Sequence, residues 1–180
     1  MKLTWFGGTT VRMHVGGRIL VVDPQAAPFA IDRNEIVSGA DRVFTLLGDH
    51  RDLPGLDPEK WRPRKAIRFM DEAAQPPVVH VYRIAPECAL IDAIGEPQII
   101  LISGELLPRF GRWADDGVAV LFGDTDAMIT AGDALFAVAR PRLLALATGD
   151  DAAATVIAAL RDSLGDTGLM TLEPALALEV

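Results

Sequence analysis

Apolar residues fall along this chain in short runs, and the spacing inside each run predicts its element. Thr9 to Val15 alternates, with Val11, Met13 and Val15 on one side and Thr10, Arg12 and His14 on the other. That period of two predicts a half-buried β-strand. Lys2 to Phe6 predicts a strand before it, closed by the Gly7-Gly8 break. Gly16-Gly17 is a two-residue hairpin signal. Arg18 to Val22 then returns with the unbroken apolar run ILVV, which suits a strand covered on both faces and ends at Asp23-Pro24.

The pattern continues downstream. Gln25 to Ser38 reads as a loop holding a short helix, and Arg42 to Leu47 as an apolar strand. Leu53 to Arg64, with Pro54, Pro58 and Pro63, is an irregular connection; Lys65 to Phe69 predicts a short strand and Met70 to Pro77 a turn-rich stretch. Val78 to Ile84 is rich in β-branched residues and predicts a strand, as does Gln98 to Ile102. Cys88 to Ile94 fits a strand or a helical turn. Gly117 to Phe122 and Ala127 to Ala131 read as a hairpin around the polar turn Gly123 to Asp126. Leu143 to Ala147 predicts a buried strand. Asp150 to Leu164 carries the clearest helical spacing, with Thr148 or Asp150 as its cap and Gly165 as its stop. Leu169 to Leu172 is a closing strand. Strands outnumber helices, and runs covered on both faces imply sheets with helices outside them. The expected class is α/β (α+β), a four-layer αββα sandwich with mixed sheets.

The length of 180 residues suits one domain spanning 1–180. Half the residues are hydrophobic, which provides a core and argues against disorder. Lys and Arg number 17 against 25 Asp and Glu, a net charge of −8. That balance disfavours nucleic acid and anionic membranes as partners, since both need concentrated basic side chains. A single cysteine, Cys88, forms no intrachain disulfide and fits a reducing cytoplasm. The start shows no secretory pattern, and no apolar stretch reaches the ~18–20 residues of a membrane helix. The cytoplasm is therefore the expected location.

The order WFGG, ILVVDP, ADRVFTLL and GDHRDLPG resembles the start of the metallo-β-lactamase fold, closest to its L-ascorbate-6-phosphate lactonase-like branch. There the first strand reads like W-L-G-H-A, the second ends in D-P, and the third ends in T-H-x-H-x-D-H. The resemblance covers Met1 to Gly55 and, more loosely, Trp113 to Pro174; Leu56 to Arg112 is unaligned. It implies the αββα sandwich and a binuclear zinc hydrolase, in which imidazoles and carboxylates hold a metal-bound nucleophilic water.

The ligand positions depart from that pattern. The chain has three histidines, His14, His50 and His80, too few for an ordinary zinc pair. Read without gaps, Leu47 and Asp49 replace the first two motif histidines, Arg51 the aspartate and Asp52 the third histidine. A one-residue slide places His50 and Asp52 on ligand positions and leaves Gly48 and Leu53 on the others. Arginine cannot ligate a metal. The first-strand histidine falls at Gly8, and the middle one in Ile102 to Leu107, which offers Ser103 and Glu105. The bridging aspartate falls at Asp133 or Asp124, with Asp133 preferred. The last histidine falls near Glu173.

The resemblance therefore implies a divergent protein with its zinc site largely lost, holding no cofactor and serving a binding or regulatory role. The alternative is a hydrolase of a small ester, lactone or phosphodiester, with Asp49, His50, Asp52 and Asp133 around a single divalent cation that takes oxygen ligands. A further alternative is an α/β module unrelated to that fold. The simpler reading makes His50 a polar loop residue, His14 exposed, His80 a structural strand residue and Cys88 a buried apolar side chain. Arg51 with nearby carboxylates would fill the vacated site as an ion-pair network. A small-molecule ligand is the expected partner, with a homodimer through Phe110, Trp113 and Ala175 to Val180. No G-x-S-x-G elbow, P-loop or G-x-G-x-x-G motif occurs.

Overall fold

The computed structural model describes residues 1–48, 52–63 and 78–180. Two sheets pack face to face. The first has five strands in the order β11 (Ala177–Glu179), β1 (Lys2–Gly7), β2 (Thr10–Val15), β3 (Arg18–Val22) and β4 (Arg42–Phe44). The second has six, in the order β10 (Gly168–Thr171), β9 (Leu143–Ala147), β8 (Val118–Phe122), β7 (Ile99–Ile102), β6 (Cys88–Ala93) and β5 (Val79–Ala85). Both are mixed: β3 and β4 run parallel, as do β7 to β10, and the other pairs are antiparallel.

The alternation read in the sequence sets the layers. Val11, Met13 and Val15 point between the sheets, where they meet Ile91, Leu101, Val120 and Ala145 in one buried cluster. The intervening residues of the second sheet, Leu90, Ile100, Leu121 and Leu144, point outward. There they are covered by Met128 and Leu135 of α2 (Thr125–Phe136) and by Val156 and Leu160 of α3 (Asp150–Leu160). This two-sided burial explains why these strands read as unbroken apolar runs. On the outer face of the first sheet, Val21 packs with Ile36 of α1 (Arg33–Val37). Helix, sheet, sheet and helices make four layers, the αββα sandwich expected from the sequence.

Several elements differ from the sequence expectation. Of the two forms left open for Cys88 to Ile94, the structure adopts the strand, over Cys88–Ala93. The hairpin expected around Gly123 to Asp126 is a strand followed by a helix. Asp124 accepts a hydrogen bond from the Ala127 amide at 2.9 Å and N-caps α2. Because β8 and β9 are parallel, a crossover must join them, and α2 supplies it. Helix α3 is capped by Gly149 without a side-chain bond, not by Thr148 or Asp150. Strand β4 stops at Phe44, since Leu46 and Leu47 give their amides to a side chain. Strand β11 was not expected; it pairs antiparallel with β1. The stretches expected at Lys65 to Phe69 and Met70 to Pro77 lie outside the described residues. Among the described residues no helix is long and apolar enough to cross a membrane.

Candidate functional site

Strand register shows which residues share an end of the sandwich. Cys88 pairs with Ile102, and β7, β8 and β9 run parallel. The turn before β6 and the carboxyl ends of β7, β8 and β9 therefore lie together. At that end stand Glu87, Ser103, Asp124 and Thr148, and Glu173 follows β10 there. The hairpin Gly16-Gly17 marks the opposite end, where the Gly16 amide donates to Glu96 Oε1 at 2.7 Å. In the first sheet, Gly7, Gly8 and Asp23 accordingly lie at the same end as Ser103 and Asp124.

Asp23 organises its corner. Its Oδ1 accepts from the Thr45 hydroxyl, and from the Leu46 and Leu47 amides at 2.9 and 3.4 Å. Its carbonyl accepts from the Thr10 hydroxyl at 2.6 Å. This ties the end of β3 to the segment after β4. Asp23 Oδ2 and Thr9 Oγ1 are buried with no hydrogen-bond partner among the described residues. Gly8 has φ +53, and a Cβ there would press on the Ala26 carbonyl oxygen at 2.8 Å. A side chain is thus disfavoured where the resemblance would put the first histidine.

At the carboxyl ends of β7 and β8 lies a cavity of about 670 Å³, lined by residues including Glu87, Ser103, Glu105, Asp124 and Asp126. Glu87 sits in the β5–β6 turn at φ +55, with its side chain over Gly104. The sequence reading missed Glu87 and Asp126. The signals for them were the Pro-led dipeptide Pro86-Glu87 between two strands and the N-cap pattern at Asp124. Cys88 lies beneath this region, its thiol pushed up to about 12 by burial. A thiol held neutral in this way is a poor metal ligand and a poor nucleophile.

Of the four expected metal residues, Asp52 and Asp133 fall among the described residues. Asp49 and His50, with Arg51, lie outside the described residues. Asp52 is exposed. Asp133 is exposed in the last turn of α2, nine residues and about 13 Å of helix rise beyond Asp124. Helix α2 leads away from the strand ends. His14 pairs with Ile19 near the hairpin, and His80 pairs with Asp92 and stacks on Tyr82, with ring centroids 5.7 Å apart. Both imidazoles belong to the far half of the sandwich. Partial burial, then Arg12 and Lys2, hold the His14 pKa below its ordinary value. Trp113 is buried in the outer core with Phe110 stacked on it, and Ala177 to Glu179 is the strand β11.

A zinc pair needs imidazole or thiolate donors. Among the described residues, the strand ends offer carboxylates, hydroxyls and glycine. Among the described residues no group of three or more His, Cys, Asp or Glu is placed to hold a metal ion. The described residues at this end do not fit that group.

No family model matches the chain, and no curated protein does. Solved structures do. Igni18, a metallo hydrolase from the archaeon Ignicoccus hospitalis, superposes with a TM-score of 0.50 at 12% identity, over 99% of this chain and 98% of its own. An isothiocyanate hydrolase from Delia radicum gut bacteria gives 0.55 at 10% identity, over 99% of each. A candidate zinc-dependent hydrolase of the metallo-β-lactamase superfamily from Thermotoga maritima gives 0.45 at 12% identity, over 95% of this chain and 98% of its own. At such identities the likeness is one of fold alone.

Proposed function

We propose that this chain is a divergent metallo-β-lactamase-fold protein, of the lactonase-like branch, whose strand-end site binds a ligand or regulates rather than hydrolyses through a zinc pair. One observation carries the reading. The two described imidazoles stand in the half of the sandwich away from the strand ends, where oxygen donors and glycines remain. Zinc at near-neutral pH activates water only when its ligands hold it tightly in a fixed geometry. The fold relatives are hydrolases, and at 10–12% identity the likeness to them is one of framework alone.

The test is the metal content of the full chain, purified with zinc supplied and measured by inductively coupled plasma mass spectrometry. Well under one zinc per chain is expected. Two tightly held zinc ions per chain would overturn the reading. Magnesium- or manganese-dependent turnover of small esters or lactones would put a single-cation hydrolase in its place.

A further inference from the structure

Strand β10 closes one side of the second sheet, and among the described residues no strand pairs with its outer edge. Its inner edge is complete. The Gly168 amide donates to the Arg142 carbonyl at 3.0 Å, and the Leu172 amide to the Leu146 carbonyl at 2.8 Å. In a parallel ladder every second residue bonds to the same neighbour. Gly168, Met170 and Leu172 therefore bond to β9, while Leu169 and Thr171 turn their N–H and C=O groups outward. Such an edge is a template for another strand unless charge, proline or a bulge blocks it. β10 reads Gly-Leu-Met-Thr, and its register with β9 is unbroken. The other outer strands are guarded: Gly55 bridges β5 at Arg83, β4 begins with Arg42, and β11 ends with Glu179. Met170 is 45% exposed, although it shares a face with the buried Leu172.

The exposed charges at the two ends of β10 differ. Helix α3 joins the parallel strands β9 and β10, so its first residues lie where β10 finishes and its last where β10 starts. The finish is acidic, with Glu173 and with Asp150 and Asp151 of α3. The start is mixed. Arg142 is bonded to Gly168, Arg140 lies against Gly165, and Arg161 ends α3, beside Asp162 and Asp166. Antiparallel pairing of two copies sets each acidic finish against the arginines of the other's start, whereas a parallel arrangement would set acid against acid. We propose that two copies of this chain associate through β10, antiparallel about a two-fold axis at Met170. Leu169 then exchanges two N–H···O bonds with the partner's Thr171, and the symmetric pair does the same, so every outward group of β10 is used. Met170 meets the partner's Met170 on the axis as a non-hydrogen-bonded pair, in which side chains approach most closely. The two six-stranded sheets become continuous. No metal or strand-end ligand enters this association, so it stands apart from the proposed function.

Sedimentation velocity on the full chain, at concentrations up to about 100 μM, tests it. A concentration-dependent equilibrium between monomer and dimer is expected. Met170→Lys sets two ammonium groups face to face on the axis and should weaken the dimer at least about tenfold, as should Met170→Glu with two carboxylates. An equimolar mixture of these two variants should dimerise again, because lysine then faces glutamate. Thr171→Pro removes an outward N–H and keeps the ladder to β9, and should also weaken the dimer. Val138→Lys, at another exposed apolar residue, should leave it unchanged. Met170→Cys should cross-link two chains on mild oxidation, since the native cysteine, Cys88, is buried. Circular dichroism establishes that each variant is folded. Sedimentation as a monomer throughout overturns the proposal. So does a dimer that Met170→Lys leaves intact, which would place the contact elsewhere, or a mixture of the Lys and Glu variants that stays monomeric.

Discussion

Asp23 stands at φ +42, in the left-handed region, and is 5% exposed. Aspartate and asparagine tolerate that conformation better than most residues. Its Oδ1 accepts from a hydroxyl and two backbone amides of the segment Thr45 to Leu47. Asp23→Ala would leave those donors without an acceptor in a buried corner. A loss of about 2–3 kcal/mol in unfolding free energy is expected, against about 1 kcal/mol for Asp23→Asn, which retains an oxygen acceptor. Urea denaturation followed by circular dichroism measures both. Equal losses would show that the negative charge, and not the acceptor geometry, holds the corner.

Asp41 joins elements in a comparable way. It precedes β4, takes the Ile19 amide at 2.8 Å and Arg18 Nη1 at 2.6 Å, and gives its own amide to the Ile19 carbonyl at 2.8 Å. It therefore fixes the register of the parallel β3–β4 pair. The Ile19 amide first, and Arg18 second, hold its carboxyl below the usual aspartate range. A carboxyl depressed on folding stabilises the native state above its unfolded pKa, and this contribution fades as pH falls through the folded value. Asp41→Asn should thus be less stable than wild type near about pH 6, with the gap shrinking near about pH 3. Urea midpoints of the two proteins at both pH values test this, and a gap that widens on acidification would reject it. Elsewhere α2 and α3 approach closely at Gly132, where a Cβ would overlap the buried Leu160 side chain. That contact seats both helices on the second sheet.

For the whole molecule, the cluster between the sheets needs no ion to complete it: it is built from Leu3, Met13, Ile91, Leu101, Val120 and their neighbours. A ligand that binds the native state raises its stability, and removing it lowers the melting temperature. A chelator such as EDTA is therefore expected to leave the melting temperature within about 1 °C. A fall of several degrees, restored by zinc, would show a structural metal and contradict the proposed function. Calorimetric scans with and without chelator give the answer.

Most strands were legible in the sequence because burial leaves a local trace. Alternation marked β2, and continuous runs marked β3, β7 and β9, since a strand covered on two faces has no polar side to show. The scarcity of imidazoles is likewise a property of the sequence, which holds three histidines. Helix α2 was not legible, because GDTD serves equally as a turn or as a cap, and only the parallel pairing of β8 with β9 demands a crossover. β11 was missed because a three-residue edge strand takes its definition from its partner β1. The gathering of Ser103, Glu105, Asp124 and Asp126 around one cavity, with His14 and His80 at the other end, depends on strand order and direction. Those are long-range properties that local spacing does not encode.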